Sequence, residues 1–393
     1  MAIRTFQYRL YPTQSQEQAL QVQLDVSRNV YNIALEDRKV AWEHEEKRIG
    51  KREGYLLAKQ YKKTFLQAKT VHSHVLQVAI EDLDRAFKAF FRRVKAGETP
   101  GYPRFKSYKR WDSIGFKQYG NGFSIDGRRL KVSGVGRIHV CWHRPYQGDI
   151  KTCRIIRNAG KWYVSLVCET ADPVPLPPTG QVIGIDMGIN ALITTSEGEQ
   201  VHNPRWYRQA QSELRLKQRK LQRAQKGGNQ RKKKLLDVQR QHHHIKNQRK
   251  DFFDKLVYKL IHGYDMIVIE DLKIANMVKN HHLSKSILDA GWGYFKKRLL
   301  DKAVDAGREV LLVDPAYTSK CCSNCGAVFE GMTLAQRWVA CDCDLSLDRD
   351  HNAAVNILNR AGRVREPERS EQSQAWFRSP AFRRGERHDY FMN

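Results

Sequence analysis

The chain has no apolar run that approaches 18 residues, so the sequence predicts no membrane-spanning helix. Its first residues, Met-Ala-Ile-Arg-Thr-Phe-Gln-Tyr, lack the apolar core of a signal peptide, which favours a cytoplasmic location over secretion. There is no glycine-rich phosphate loop, Ser-His-Asp set, dinucleotide fingerprint or internal repeat. The common nucleotide-binding and serine-hydrolase motifs are therefore excluded.

Acidic residues are scarce relative to basic ones. There are 42 Asp and Glu against 69 Lys and Arg, which gives a formal net charge of +27. The mutual repulsion of so many positive charges is tolerated mainly when a bound polyanion neutralises them, so nucleic acid is the expected partner. With 41% hydrophobic and 10% aromatic residues in 393, the composition is that of a folded protein of two or three domains.

Cysteine is concentrated in one place, because five of the eight cysteines lie between 321 and 343. In a reducing compartment this crowding favours metal binding over disulfides. Four cysteines have the spacing of a zinc ribbon: Cys322, Cys325, Cys341 and Cys343. The two pairs flank a hairpin predicted from 328 to 338. Cys321 is an alternative to Cys322 as a ligand, and a set of unmetallated thiols is the alternative to the site.

The first 172 residues predict a helical block inserted into a β-rich region. Residues 3–11 predict a strand, and Thr13 with Gln16 predicts a capping box at the start of a helix. Helical periodicity continues over 13–96. From Ser113 to Cys168 short β-prone runs alternate with glycines and predict a small β-barrel. Prolines at 173, 175, 177 and 178 predict a linker.

The chain after the linker predicts alternating strands and helices. Three hairpin strands (182–188, 191–197 and 199–203) come first, followed by a helix, a strand at 266–270, a helix at 292–304, a strand at 309–313 and a last helix. Residues 205–250 hold 16 Lys and Arg against two acids and are interrupted by two glycines, which predicts two basic helices joined by a turn. A solvated face is one interpretation of this charge. Contact with a phosphate backbone is the favoured one, with these candidates: Arg231, Lys232, Lys233 and Lys234.

Three acids stand at matched ends of these elements. Asp186 and Glu270 each close a strand, and Asp350 begins the last helix. This order of elements predicts an RNase H-like fold, in which such acids converge and hold two Mg²⁺ for an in-line phosphodiester displacement. For any single acid, a solvated strand end is the alternative. Alternation predicts that Asp271 faces the other side of the sheet. Asp348 is expected to shape the loop, and it is the alternative to Asp350 as the third acid.

Six blocks of residues occur in one order along the chain. They are Gly184-Ile-Asp186-Met-Gly188, Asn247-Gln-Arg249-Lys-Asp251, Ile269-Glu270-Asp271-Leu272, Ala290-Gly-Trp292, Thr318-Ser319-Lys-x-Cys322-Ser323-x-Cys325-Gly326 and Asp348-Arg349-Asp350-x-Asn352-Ala353-Ala354-x-Asn356-Ile357. With Arg28-x-x-Tyr31-Asn32 and Pro103-Arg104-Phe105-Lys106, the set resembles the TnpB family of insertion-sequence-encoded, RNA-guided DNA endonucleases, relatives of type V CRISPR effectors. The resemblance covers residues 1 to about 362.

The resemblance implies a multidomain α+β protein. Its parts would be a wedge β-barrel (1–12 and 101–172), a helical recognition lobe (13–100), a linker (173–180), a RuvC-like nuclease of RNase H-like fold (181–316 and 346–364, with the basic hairpin at 205–262), a zinc ribbon (317–345) and a disordered tail (365–393). By motif match, Asp186, Glu270 and Asp350 take the catalytic, Mg²⁺-binding positions. The four ribbon cysteines take the zinc positions, and Arg249 and Lys106 are expected to contact nucleic acid. Each cysteine pair forms one knuckle of the ribbon, the first at Cys322–Cys325 and the second at Cys341–Cys343. The second knuckle is one residue shorter than the family's usual Cys-x-x-Cys, because Ala340 stands at the third cysteine position. A strained or metal-free ribbon is therefore the alternative.

The implied activity is Mg²⁺-dependent cleavage of DNA beside a short target-adjacent motif, with specificity supplied by guide pairing. The implied partners are a guide RNA from the transposon end and double-stranded DNA, bound by a monomer in the prokaryotic cytoplasm and at the nucleoid. A nuclease-dead, RNA-guided repressor is the alternative, which the intact acids disfavour. A self-sufficient transposase ranks last, because no tyrosine or DDE strand-transfer module is visible.

Overall fold

The computed structural model describes residues 1–333 and 336–365. The chain forms two compact units, Met1–Asp172 and Pro173 onward. The predicted tail lies outside the described residues beyond 365. None of the helices in the described ranges combines the length and the apolar character that crossing a bilayer requires.

The first unit is built on a seven-stranded antiparallel sheet with the order β2-β6-β7-β1-β5-β4-β3. Its strands are β1 (Ala2–Tyr11), β2 (Ser113–Phe116), β3 (Phe123–Asp126), β4 (Arg129–Val132), β5 (Gly136–Cys141), β6 (Asp149–Asn158) and β7 (Lys161–Thr170). Alternation along β1 places Phe6, Tyr8 and Leu10 in the core. In this fully described unit, the edge strands β2 and β3 each pair with one neighbour. The sheet is therefore an open half-barrel, so the β-rich region that the sequence predicts is present but does not form a complete barrel.

Helices fill the core that barrel closure would otherwise supply. They are α1 (Gln14–Glu45), α2 (Lys51–Thr64), α3 (Leu66–Lys69) and α4 (Ser73–Lys95). The predicted capping box is present: Gln16 N–H donates to Thr13 Oγ1 at 3.3 Å, and Thr13 N–H donates to Gln16 Oε1 at 3.1 Å. Leu24 of α1 and Ile80 of α4 belong to one hydrophobic cluster with Val164 of β7. The helical block and the sheet thus share a single core.

The second unit contains a five-stranded mixed sheet with the order β10-β9-β8-β11-β12. Its strands are β8 (Val182–Asp186), β9 (Ala191–Thr195), β10 (Gln200–His202), β11 (Met266–Glu270) and β12 (Glu309–Val313). β8, β11 and β12 run parallel, whereas β9 is antiparallel to both β8 and β10. Every residue of β11 is buried, as its apolar run predicts. The predicted order of strands and helices is confirmed.

The remaining elements of the second unit follow the same order. They are α5 (Trp206–Arg223), α6 (Asn229–Gly263), α7 (Ile274–Met277), α8 (Ser284–Ala290), α9 (Trp292–Ala306), β13 (Trp338–Ala340), β14 (Ser346–Asp348) and α10 (Arg349–Arg365). α10 crosses β8 at backbone contact. A Cβ added at Gly184 would lie 2.3 Å from the Ala354 carbonyl oxygen and 2.8 Å from Leu358 Cβ. Glycine is required here because any side chain would push the helix off the strand.

Residues 173–180 lack helix and strand, as predicted for a linker, but they are fastened to the second unit. The Thr179 and Gly180 N–H groups donate to the Asp265 carboxylate at 2.7 to 2.9 Å. The buried Arg308 guanidinium donates to Asp265 Oδ1 at 2.6 Å and to the Pro177 carbonyl at 2.8 Å. The segment is therefore part of the second unit's hydrogen-bonded structure.

Candidate functional site

Two carboxylates lie side by side at the ends of neighbouring parallel strands. The register pairs Ile185 with Ile269, so Asp186 and Glu270 occupy the next positions on β8 and β11. Glu270 is only 5% exposed, and Thr318 Oγ1 donates a 2.6 Å hydrogen bond to its Oε1. Thr318 lies in one of the sequence blocks, but its spacing gives no hint of this partner 48 residues away.

The residue after Glu270 points elsewhere. Asp271 has a side chain that is 52% exposed and forms an ion pair with Lys296. The Asp271 side chain therefore points away from that of Glu270, as strand alternation predicts. Asp271 is therefore a carboxylate at the same end of β11 that lies apart from Asp186 and Glu270.

Helix α10 brings the third carboxylate to the same edge of the sheet. Asp350 lies in the first turn of α10, and its Oδ2 lies 4.0 Å from the position of a Cβ added at Gly188, in the turn after β8. Asp348 Oδ1 accepts the N–H groups of Asp350 at 2.9 Å and His351 at 3.1 Å. Asp348, the last residue of β14, thus caps the helix. Its charge also contributes to the raised pKa of Asp186.

Asp186 and Glu270 both have raised pKa values. Burial raises the pKa of Asp186 well above its ordinary value, and the charges of Glu270 and Asp350 raise it further. Burial also raises the pKa of Glu270, while the hydrogen bond from Thr318 opposes that rise. Arg349 approaches Asp350 Oδ1 to 3.4 Å, and Arg337 approaches Oδ2 to 3.8 Å.

This donor set fits hard divalent cations. Carboxylate oxygens are the ligands that Mg²⁺ prefers, and bound cations would relieve the repulsion that raises the pKa of Asp186. All three carboxylates lie at one edge of the five-stranded sheet. In the part of the chain that the structure describes, the set of metal-ligand atoms grouped tightly around one point is the cysteine cluster described below, not the acids.

The four ribbon cysteines come together. The Sγ atoms of Cys322, Cys325, Cys341 and Cys343 all lie within 4.8 Å of one another. The Cys322–Cys343 and Cys325–Cys341 Sγ distances are both 3.5 Å. A tetrahedral zinc site with Zn–S bonds of about 2.3 Å has sulfur atoms roughly 3.8 Å apart, so the four thiols fit zinc. Cys321 is not part of this cluster.

A tight turn accommodates the shortened second knuckle. The Cys341 N–H donates to the Leu345 carbonyl at 2.9 Å, and the Asp344 N–H donates to the Cys341 carbonyl at 3.0 Å. Asp344 takes the left-handed conformation with φ +66°, which reverses the chain directly after Cys343. Asn324 Nδ2 donates to Cys343 Sγ at 3.4 Å. With the hydrogen bond from the Leu345 backbone and those from Cys322 and Cys325, it lowers the pKa of the Cys343 thiol to about 6. Both cysteines of the short knuckle therefore face the cluster.

The predicted ribbon hairpin is wrong in its position. β13 pairs with β14, so that Trp338 lies opposite Asp348 and the two strands flank the second knuckle. Val328 instead forms an isolated bridge with Cys321 beside the first knuckle. Hydrogen bonding concentrates at the two knuckles because each knuckle turns the chain back on itself, which brings the residues on either side of it into register.

Three asparagines fasten the first knuckle to α10. Asn352 Nδ2 donates to the Cys321 carbonyl at 2.8 Å, and Asn356 Nδ2 donates to the same oxygen at 2.7 Å. Asn359 Nδ2 donates to the Ser323 carbonyl at 3.2 Å. Sequence reasoning missed this role, although the spacing of four and three residues puts the asparagines on one helix face. The cysteine cluster and Asp350 are thus attached to the same helix.

The basic helical hairpin contains both structural and exposed cations. Arg231 donates to the Leu221 carbonyl at 2.7 Å and the Ala224 carbonyl at 3.0 Å, so it caps the C-terminal end of α5. Lys232 and Lys233 are exposed, and Lys234 is half-buried. The lysines are therefore better placed than Arg231 to contact a phosphate backbone.

Arg249 is engaged inside the second unit. It forms a 3.0 Å ion pair with the buried Asp289, and its guanidinium lies 5.8 Å from the centre of the Trp206 ring. Asp289 also accepts the Tyr207 N–H at 2.9 Å, at the start of α5. These contacts give Arg249 a structural role, and its contact with nucleic acid stays a prediction.

Lys106 lies in the first unit, where its backbone and side chain both have partners. Its N–H donates to Asn32 Oδ1 at 2.8 Å, and its ammonium lies 5.7 Å from the centre of the Tyr31 ring. Contact of Lys106 with nucleic acid also stays a prediction.

Family models match three parts of the chain. Residues 165–281 match an insertion-sequence model, OrfB_IS605, described as "Probable transposase", and residues 292–357 match "Cas12f1-like, TNB domain". Residues 1–47 match a "Helix-turn-helix domain". In the structure this last region is β1 followed by the single 32-residue helix α1, so that description does not apply to its fold.

Two relatives named "Putative RNA-guided DNA endonuclease" match nearly the whole chain. The protein from Streptomyces pristinaespiralis is 36% identical over 363 residues, which cover 90% of this chain and 88% of the relative. InsQ from Escherichia coli (strain K12) is 31% identical over 376 residues, which cover 91% of this chain and 92% of the relative. The chain belongs to the TnpB family.

More distant matches extend beyond TnpB proteins. The CRISPR-associated endodeoxyribonuclease Cas12f1 of Sulfoacidibacillus thermotolerans is 25% identical over 246 residues, or 58% of this chain and 57% of the relative. Among solved structures, that of the mini-RNA-guided endonuclease CRISPR-Cas_phi3 aligns with 93% of both chains at 10% identity and a TM-score of 0.48.

Proposed function

We propose that this TnpB-family chain is an RNA-guided endonuclease that hydrolyses DNA beside a short target-adjacent motif. The observation that carries the proposal is the convergence of Asp186, Glu270 and Asp350 at one edge of the five-stranded sheet. The strand order, with an antiparallel β9 beside three parallel strands, supports a RuvC-like nuclease domain of RNase H-like fold over 181–316 and 346–364. The names of the full-length relatives support guidance by RNA.

Asp186, Glu270 and Asp350 would hold Mg²⁺. When bound, two Mg²⁺ supply an activated water and stabilise the leaving oxygen of an in-line displacement. The chain's own groups then orient the ligands: Thr318 fixes one oxygen of Glu270, and Arg349 and Arg337 balance the charge on Asp350. The packing of α10 against Gly184 determines how far the Asp350 carboxylate lies from the sheet.

The cysteine cluster would hold a structural zinc ion with no open position. When bound, zinc cross-links the two knuckles of the ribbon. The row of asparagines on α10 connects the first knuckle to the helix that carries Asp350. The ribbon therefore supports the third carboxylate.

The proposed partners are a guide RNA derived from the transposon end and a double-stranded DNA target. The net charge of +27 favours a polyanionic partner, and a permanently bound RNA would neutralise much of this charge. Guide pairing would read the target sequence, and the half-barrel and helical block would act as the wedge and the recognition lobe. We propose a monomer in the RNA complex, in the prokaryotic cytoplasm and at the nucleoid when bound to DNA.

The test is cleavage of a plasmid library by the full chain purified with its own RNA. Asp186→Ala, Glu270→Ala and Asp350→Ala should each abolish cleavage and leave guided DNA binding largely intact, because each removes a metal ligand but no backbone contact. Asp271→Ala is the matched control, since this carboxylate ends the same strand but faces away. It should cut at the wild-type rate.

Full activity in any of the three variants would remove that residue from the site. Wild-type cleavage that survives complete chelation of divalent ions would contradict the metal mechanism. Guided binding without cleavage by the wild-type complex would instead favour the nuclease-dead repressor.

A further inference from the structure

An irregular segment of the first unit, residues 102–110, presents aromatic and basic side chains in alternation. Tyr102, Phe105 and Tyr108 recur at every third position and are 45%, 53% and 52% exposed. Four basic residues lie among them, and no acid occurs between 99 and 111. We call residues 102–110 the aromatic–basic segment.

This segment is held in place although it contains only one turn of 3₁₀ helix, at Tyr108–Arg110. Tyr102 packs edge-on against the Phe87 and Phe90 rings of α4, at centroid distances of 5.6 and 5.4 Å. In the middle, Asn32 of α1 binds both backbone groups of Lys106, at 2.8 and 3.0 Å.

Trp111 anchors the other end of the segment. Its side chain is buried, and its Nε1 donates to Ser27 Oγ at 2.8 Å. With Tyr102 and Lys106, this makes three attachment points in ten residues of chain. The exposed rings between these points are therefore presented by a fixed backbone rather than by a mobile loop.

Several side chains between the three attachment points are exposed and available to bind a ligand. Arg104, Lys109 and Arg110 are exposed, and none of them forms an ion pair with any residue that the structure describes. Phe105 has no aromatic neighbour among the same residues. The Tyr108 ring has the Arg157 guanidinium 5.8 Å from its centre. An exposed ring flanked by unpaired cations matches a nucleotide, which offers an apolar base face and adjacent phosphates.

We propose that the aromatic–basic segment is a stacking platform for an unpaired nucleotide of the guide RNA. Phe105 stacks on the base, and Arg104, Lys109 and Arg110 contact the flanking phosphates. A backbone that is already fixed suits a partner that the protein holds before it meets DNA, which is why we assign the platform to RNA. The inference rests on the proposed function, which gives the chain its guide RNA.

The test measures binding of a fluorescent oligouridine of about 12 nucleotides to full-length variants, with oligothymidine of equal length as the DNA arm. Phe105→Leu keeps an apolar side chain but removes the aromatic face, so affinity for oligouridine should fall roughly 5- to 150-fold. Phe105→Tyr should retain wild-type affinity. A ring that only packs against protein would tolerate leucine.

Trp42→Leu is the matched control. Trp42 is 51% exposed in the same unit, and the Arg48 guanidinium lies 5.9 Å from the centre of its ring. Glutamates at 43, 45 and 46 outnumber that cation, so the surroundings of Trp42 disfavour an anion, unlike those of Phe105. Its replacement should leave affinity for oligouridine unchanged. Charge is tested separately by Lys109→Gln with Arg110→Gln, which should flatten the salt dependence of oligouridine binding by about 0.7 for each phosphate that is no longer neutralised.

Oligouridine binding by Phe105→Leu at wild-type affinity would overturn the platform. A loss confined to oligothymidine would overturn its assignment to RNA. Plasmid cleavage separates this inference from the proposed function. If Phe105→Leu keeps both normal guided cleavage and unchanged oligouridine binding, the platform alone is refuted. If the wild-type complex never cuts DNA but oligouridine binding still depends on Phe105, the nuclease alone is refuted.

Discussion

Replacing Gly184 with alanine should separate DNA cleavage from DNA binding. The new Cβ would lie 2.3 Å from the Ala354 carbonyl oxygen, against an ordinary contact of 3.4 Å, so α10 must move by about 1 Å. Asp350 lies one helical turn before Ala354 and moves with it, while Asp186 stays on β8. A misplacement of about 1 Å in a catalytic group costs on the order of 10²-fold in rate. Overpacking of this kind costs about 1–3 kcal/mol, so the unit should remain folded.

The assay compares single-turnover cleavage, guided DNA binding and thermal unfolding of the RNA-bound protein. Gly263→Ala is the matched control, because a Cβ there meets nothing within 4 Å and its φ is not positive. It should match the wild type in all three measurements. Wild-type cleavage by Gly184→Ala would refute the argument that α10 sets the position of Asp350. An equal loss of cleavage and guided binding would also refute it, since the effect would then not be confined to the carboxylates.

Cys325→Ser should release zinc, which elemental analysis measures. It should also lower cleavage more than guided binding, because the ribbon is hydrogen-bonded to the helix that carries Asp350. Zinc-free wild-type protein that still cuts DNA would contradict both statements. Replacing the lysines at 232–234 with glutamine should flatten the salt dependence of RNA binding by about 0.7 to 0.9 for each phosphate that is no longer neutralised, and an unchanged slope would mean a merely solvated face. Arg231→Gln should chiefly lower the unfolding temperature, because it removes the cap of α5. Hydrogen bonds from the Thr179 backbone hold the pKa of Asp265 in the folded protein below its ordinary value of 3.8. The ionised Asp265 carboxylate therefore stabilises the folded protein above pH 3.8, and this contribution disappears as the pH falls through the lower pKa of the folded state. Asp265→Asn should therefore unfold at a lower temperature at pH 7 and lose less stability between pH 4 and 2.5, and an acid response equal to that of the wild type would contradict this.

The strands of the second unit were predictable because their signals are local. The apolar run of β11 is buried at every position, and Glu270 ends it where the sequence indicates. Alternation alone separated Glu270 from Asp271. The cysteines could also be identified from spacing, since zinc-ribbon ligands come in short pairs.

The features that were missed depend on partners distant in the chain. Arg249 counts as one more cation in a basic run, and only the fold brings Asp289, 40 residues later, to neutralise it. Arg231 likewise becomes a helix cap because the turn at 227–228 folds α6 back on α5. The half-barrel could not be told from a closed barrel, because closure depends on whether β2 meets β3, and both are four residues long with ordinary β-propensity.

The central place of β1 has a consequence for how the first unit is made during synthesis. Gln7 Nε2 on β1 donates to Ser165 Oγ on β7, 158 residues further along the chain. At about 5–20 residues per second, β1 waits on the order of 8 to 30 s for this neighbour to be synthesised, and until then the edge of β1 that pairs with β7 has no partner strand. Because β7 and β5 meet only through β1, loss of this strand would divide the sheet into two three-stranded halves, β2-β6-β7 and β5-β4-β3. Ten residues at the start of the chain thus decide whether the first unit assembles as one body, and the nascent chain must be kept from aggregating until its middle has been translated.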